Sequence, residues 1–370
     1  MARSDTPASG VDISDETDAS TVGYVGLDHH HAEPYLQTLE TLPATVACAC
    51  EPNDAFDVDA VASLGDVPVY GDLETMLDEV TVDAVVLTLP NRDTPAAIER
   101  ALERNVDVYT EKPAARTAAE LEPLFEAEAR ADATVCVSYP WQGHPIAAQL
   151  KSHLEDGFFG DLRSFEARFV ASQLAYRNTD HFIFDADASR GGILQWLGIH
   201  WIQLLSWLLE SPVSRVNAST TAGFDGVDVE DGATLQLETT DGALGTVHCG
   251  YYLREGIYDT QLNLYGNGGR SSWDPMGRTF GFDGETELEL ESTDDDWSAT
   301  PHRTITHDYE SEAGYGGAWG REFIEGFFEA RETGAEPPVT LENALTVLRI
   351  LDAAYESAAT DQWVAVEIRQ

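Results

Sequence analysis

The chain has 370 residues, in which 66 Asp and Glu stand against 21 Lys and Arg for a formal charge of −45. No basic footprint exists for a phosphate backbone or an anionic bilayer, which excludes nucleic acid and a charged membrane surface as partners. Hydrophobic residues at 43%, with eight Trp and thirteen Tyr, can bury a large core, so the acidity marks a folded surface adapted to concentrated salt rather than a disordered chain.

Met1 to Ser20 is acidic and polar, unlike a signal peptide, and reads as a disordered tail. No stretch is apolar for long enough to span a bilayer, so a cytoplasmic protein is expected. Cys48, Cys50, Cys136 and Cys249 lack metal-ligand spacing and read as small buried hydrophobes in a reducing compartment.

From Thr21 onward, short apolar runs alternate with amphipathic stretches, the pattern of a parallel sheet wrapped by helices. Strands are predicted at Val22–Val25, Thr45–Ala49, Val67–Tyr70, Val82–Leu89, Val106–Tyr109 and Thr134–Ser138. Helical spacing covers Asp54–Ser63, Asp72–Glu79, Thr94–Arg104 and Thr117–Ala131, several opening on Asp or Thr as an N-cap. This predicts a doubly wound α/β dinucleotide-binding domain of the Rossmann type over residues 21–140.

The texture changes after Pro140. A helix is expected over Pro145–Asp156, a strand over Leu162–Ser172, and an almost wholly apolar, buried helix over Gly191–Glu210. Strands follow at Val213–Thr221, Ala233–Glu238, Leu244–Tyr252 and Thr260–Tyr265, with hairpin turns at Thr240–Gly242 and Gly266–Gly268. Glu291–Ser298 reads as an exposed acidic loop. Helices at Trp319–Glu332 and Leu341–Ala359 and a strand at Trp363–Ile368 close the chain. Residues 141–370 therefore form an α+β domain with a large, mostly antiparallel sheet, its final helices placed to pack back on the first domain.

A dinucleotide fold calls for G-x-G-x-x-G between its first strand and helix. The turn here is Gly23-Tyr24-Val25-Gly26-Leu27-Asp28-His29-His30-His31. Gly26 suits the tight turn, but Asp28 replaces the second glycine and would repel a pyrophosphate. Glu51, at the end of the second strand, stands where an acidic side chain accepts from an adenosine ribose and disfavours a 2′-phosphate, so NAD is expected before NADP. Adjacent histidines should point in different directions, so no metal site is expected at His29–His31.

Only two lysines occur, Lys112 and Lys151. Lys112 lies in Thr110-Glu111-Lys112-Pro113, behind the fifth strand, at the carboxyl end where open α/β sheets bind ligands. Burial there would lower its pKa and suit it to proton transfer; a structural ion pair with Glu111 is the alternative.

With Lys112 in Glu-Lys-Pro, Gly191–His200 in the second half, Leu89-Pro90-Asn91 and Tyr265–Gly269, the chain resembles the Gfo/Idh/MocA family across Thr21 to Gln370. The resemblance implies an NAD(P)-dependent oxidoreductase that moves a hydride between nicotinamide and a carbinol carbon of a sugar, polyol or related hydroxy compound, and a homodimer or homotetramer. It implies Lys112 and His200 as catalytic residues and Gly23, Gly26, Glu51, Pro90, Asn91, Glu111 and Lys112 as cofactor-binding. The family's aspartate four residues before the histidine is replaced by Trp196. Thr94 and Gln142 depart from a family histidine and arginine. A core residue is the alternative for His200, and Trp196 reads as either a stacking platform or packing. The segment containing Tyr176, Arg177, Asp180 and His181 reads either as a substrate cover or as a polar loop, and His181 or Asp185 could replace the lost carboxylate. Two rivals remain: a lyase or glycosidase using NAD on the same fold, and a non-catalytic sugar- or nucleotide-binding protein.

Overall fold

The computed structural model describes residues 19–276, 284–309 and 312–368. The expected tail therefore falls outside the described residues up to residue 18, and Ser20 already begins the first strand.

Strands β1 (Ser20–Val25), β2 (Ala44–Cys50), β3 (Val69–Tyr70), β4 (Ala84–Leu87), β5 (Asp107–Glu111) and β6 (Val135–Ser138) form one sheet in the order β3-β2-β1-β4-β5-β6. Every pairing in it is parallel. Helices α1 (Ala32–Leu39), α2 (Leu73–Glu79), α3 (Thr94–Leu102), α4 (Ala118–Leu121) and α5 (Leu124–Glu128) cross between the strands. Burial on both faces explains the continuous apolar runs: all four residues of β4 are buried.

Two expected helices are altered for identifiable reasons. Pro123 divides Thr117–Ala131 into α4 and α5, since proline supplies no N–H and its ring crowds the preceding turn. Asp54–Ser63 forms only two short 3₁₀ turns, Val58–Ala60 and Ala62–Leu64. Asp57 there accepts the Asp59 amide, a local bond that competes with a helix, and only Leu64 is buried.

Helix α6 (Pro145–Glu155) leads into a nine-stranded sheet of order β14-β13-β12-β11-β7-β10-β9-β8-β15. Its members are β7 (Leu162–Ser172), β8 (Val213–Thr221), β9 (Gly232–Thr239), β10 (Leu244–Leu253), β11 (Asp259–Gly266), β12 (Gly269–Trp273), β13 (Gly284–Ser292), β14 (His302–Tyr309) and β15 (Val364–Ala365). Only β7 with β10 is parallel. The sequence reading lacks β12, β13 and β14. Leu288 and Leu290 alternate with glutamates and are buried, so β13 runs into the expected acidic loop, which starts only after Ser292.

Between β7 and β8 lie α7 (Ala186–Ser189), a π-helical turn at Leu194–Gly198, and α8 (Ile199–Leu208), which is buried nearly all round. The chain enters this helix through Gly192, where a Cβ would stand 2.0 Å from the Glu230 carbonyl oxygen. Helices α9 (Gly317–Thr333) and α10 (Leu341–Thr360) return to the parallel sheet. Phe327 of α9 packs on Tyr109, and Arg331 meets Asp107 at 2.6 Å. From α10, Asp352 accepts the Ala118 amide and Ser357 accepts that of Ala218, joining both sheets. One apolar core runs through the two layers. Among the described residues no helix is long and apolar enough to cross a membrane.

Candidate active site

The turn after β1 is forced by Gly26, whose φ of +95° belongs to glycine and where a Cβ would lie 2.6 Å from the Thr88 carbonyl oxygen. Beyond it the amides of Asp28 and His31 are satisfied internally. Glu51, 7% exposed at the end of β2, accepts from the Asp28 amide at 2.8 Å and the Asn53 amide at 2.7 Å. Burial pushes the Glu51 carboxyl up, while those two bonds pull it down. Asn53 also donates to the Asp28 carboxylate, and the His31 amide donates to Nδ1 of His29.

His29, His30 and His31 do not diverge. Bonding of the Ala32 amide to the His29 carbonyl curls the chain into α1, and ring centroids fall 4.4 Å apart for His29 and His30 and 3.9 Å for His30 and His31. One ring nitrogen from each lies within 4.8 Å of the others, which corrects the expectation that consecutive histidines cannot converge. Their bonding still argues against a ready-made metal site. Neutral His29 accepts at Nδ1 and so carries its proton at Nε2, leaving no lone pair there for an ion.

At the end of β5, Glu111 bonds His31 Nδ1 through one oxygen at 2.7 Å and accepts the Lys112 amide through the other at 2.6 Å. The Lys112 side chain is 3% exposed, and its Nζ lies 4.1 Å from the centroid of the Trp196 ring. Burial lowers the Lys112 pKa, and the nearby Glu111 charge opposes that shift. The side-chain ion pair with Glu111 considered from sequence is not formed; the carboxylate is held by His31 and the backbone.

His200 projects from α8 and stacks on Trp141 at 5.5 Å and 15°. Burial, with the Lys112 charge adding to it, depresses its pKa to about 3, and its Nδ1 has no protein partner. Lys112, Trp196, His200 and Arg177 line one cavity of about 400 Å³, together with His30 and His31. The remaining wall is largely apolar and includes the aromatic rings of Trp141, Phe169, Tyr251 and Tyr258.

Several expected site residues lie elsewhere. Gly23 sits inside β1, and a Cβ there would meet Met76 Cε at 2.9 Å, so it serves core packing rather than the cofactor turn. Asn91 turns its amide to the Ser189 carbonyl, and the Pro90 carbonyl accepts from Asp93 and Thr94 at the start of α3. Tyr176 is 50% exposed, and neither it nor Asp180 or His181 borders the cavity. His181 instead bonds the Asp28 carbonyl at 3.0 Å, and Asp185 caps α7, so neither replaces the lost carboxylate. Glu111 with His31 was the pair that sequence reading missed. Its signal was a histidine at the third glycine position of the turn, facing the Glu-Lys-Pro segment.

Two family models match the chain: "Oxidoreductase family, NAD-binding Rossmann fold" over residues 20–139 and "GFO/IDH/MocA C-terminal domain" over residues 147–272. The chain belongs to the Gfo/Idh/MocA oxidoreductase family. A member from Haloferax volcanii, D-xylose 1-dehydrogenase (NADP(+)) 2, is 28% identical over 94% of this chain and 98% of its own. Levoglucosan dehydrogenase of Pseudarthrobacter phenanthrenivorans is 23% identical over 85% of this chain and 88% of its own. Among solved Gfo/Idh/MocA folds, levoglucosan dehydrogenase with NADH and levoglucosan superposes with a TM-score of 0.82 at 21% identity, covering 94% of this chain and all of that one. An Agrobacterium radiobacter oxidoreductase with NAD+, L-tartaric acid and magnesium gives 0.78 at 18% identity, covering 94% and 98%.

Proposed function

We propose that this chain is an NAD(P)-dependent dehydrogenase acting on a CH–OH group of a small sugar-like compound. The observation that carries the reading is a single cavity, at the carboxyl end of the parallel sheet, that collects Lys112, His200 and the Glu111-oriented His31. Relatives named as xylose and levoglucosan dehydrogenases support it.

The residues fit a dinucleotide in the sheet order, in the sharp turn at Gly26 and in the acidic residue that ends β2. Gly26, Glu51 and the exposed His30 would hold it, the His30 imidazole replacing amides that Glu51 and His29 now occupy. NAD is the proposed form, because Glu51 and Asp28 set two carboxyl groups where a 2′-phosphate would lie. When bound, the nicotinamide supplies the hydride acceptor or donor.

Lys112 is the best-placed proton carrier, since burial lowers its pKa and it lines the cavity beside Trp196. The Glu111–His31 pair beside it presents Nε2 of His31 to the cavity as a hydrogen-bond acceptor, because the carboxylate holds the other nitrogen protonated, while burial and the Lys112 charge hold this imidazole well below its ordinary pKa and so neutral. A histidine with a pKa near 3 is a poor base at neutral pH, so His200 orients the hydroxyl by a hydrogen bond from or to Nδ1. His200 thus stays at the site as the group that positions the hydroxyl.

Internal satisfaction of the turn amides favours a second reading, binding without turnover. Calorimetric titration with NAD and NADP in molar KCl, followed by a nicotinamide-absorbance screen of sugars and sugar acids, separates the two. Micromolar NAD binding with turnover is expected. Absence of binding of either dinucleotide overturns the dehydrogenase reading.

A further inference from the structure

Acidic partners are abundant in this chain, and its arginines find them. Of the arginines among the described residues, all but Arg177, Arg254 and Arg303 lie within 4.0 Å of a carboxylate oxygen. Arg254 and Arg303 are exposed, and Arg303 stacks on Trp297 at the surface. Arg177 is half-buried and lines the catalytic cavity. Its guanidinium is fixed from three sides: 4.7 Å above the Tyr251 ring centroid, with Nε donating to the Ser172 carbonyl and Nη2 to the Tyr258 hydroxyl. Three of its five N–H groups then remain without a protein acceptor. Among the described residues the one carboxylate in the cavity lining, Glu312, is 3.2 Å from Arg321 and so already compensated.

Resting on the dehydrogenase reading, we propose that the cavity takes a polyhydroxy acid whose carboxylate is received by Arg177. A planar guanidinium held in one orientation matches a carboxylate in a two-point contact, and the bond gains strength where aromatic walls exclude water. The volume of about 400 Å³ suits one monosaccharide-sized acid, with its reacting carbinol at Lys112 and its carboxylate at Arg177. A single arginine supplies too few donors for a phosphate dianion, which makes the carboxylate the better match.

The test uses the full chain in molar KCl with NAD+ and, separately, NADP+. Aldonates and uronates are compared with the matching alditols and aldoses and with glucose 6-phosphate, for binding by calorimetry and for turnover by absorbance. The best acid should exceed its neutral counterpart in kcat/KM by roughly 100-fold. Arg177→Met should remove that advantage through KM, with a clearly smaller loss for neutral substrates, and Arg177→Lys should restore part of it. Equal or better use of neutral sugars, a preference for the phosphate, or an equal loss for acids and neutrals in Arg177→Met overturns the proposal, as does failure of every acid to bind. Arg177-dependent acid binding without turnover by either nicotinamide would uphold this inference and overturn the dehydrogenase reading.

Discussion

Glu111 bonds Nδ1 of His31 at 2.7 Å and so fixes which face of that imidazole is free toward the cavity. A glutamine at 111 can still accept the Lys112 amide, but its NH₂ would then face His31 and reverse the tautomer. Glu111→Gln is therefore expected to lower kcat by about 10- to 100-fold with little change in KM. His31→Asn should cost a similar factor. The double variant should lose no more than either, and additive losses would show that the pair does not act as a unit.

Lys112 and His200 should separate by pH dependence. Lys112→Met is expected to cut kcat by roughly 10²- to 10⁴-fold and to abolish the acid limb of its pH profile. His200 stays neutral down to about pH 3, so His200→Asn should lower the rate without moving that limb. A limb that shifts in the His200 variant would return the proton to the helix.

Glu230 holds the entrance to the buried helix, accepting the Gly192 and Leu194 amides at 2.8 and 3.0 Å and the Tyr355 hydroxyl at 3.0 Å. Glu230→Ala strands buried donors and should cost about 3 kcal/mol in urea unfolding at fixed salt. Because this residue lies away from the cavity lining, activity of the remaining folded fraction should change little.

Burial lowers His200 and His144 to about 3, and the sign of the linkage follows. Above the ordinary value of 6.5 neither state is protonated; below it the unfolded chain takes up protons that the fold refuses. Stability should fall as pH drops from 6.5, by about 1.4 kcal/mol per histidine at one unit below. The raised carboxyls of Glu51 and Glu230 act oppositely, stabilising the fold on their protonation. Melting curves from pH 8 to pH 5.5 should show the histidine loss first, reduced in His144→Gln; a flat profile would contradict it.

Charge repulsion at −45 predicts that the unfolding midpoint rises with KCl. Screening length contracts from about 10 Å at 0.1 M to about 3 Å at 1 M, so most of the gain should come in that interval. A midpoint independent of KCl would show that the acidic surface carries no net repulsive strain.

The parallel sheet was legible because two-sided burial writes itself as unbroken apolar runs such as Ala84–Leu87. β13 was not, because glutamates outnumber the two leucines that mark its buried face, and composition outweighed alternation. Within the site, Lys112 was exposed by its rarity and by the proline that follows it. His31 was hidden because its partner, Glu111, is 80 residues away and no local spacing encodes a contact across two strands. Asp28 read as repulsive toward phosphate, yet its backbone amide is what anchors Glu51, a role carried by main chain and silent in side-chain identity.

The enclosure of Lys112 leaves this protein almost blind to amine-directed chemistry. Apart from its amino terminus, only Lys151 offers an accessible primary amine to acylating or reductive-alkylating reagents. A label on Lys112 itself would thus report the cleft opening, giving a covalent readout of access to the catalytic centre without any substrate in hand.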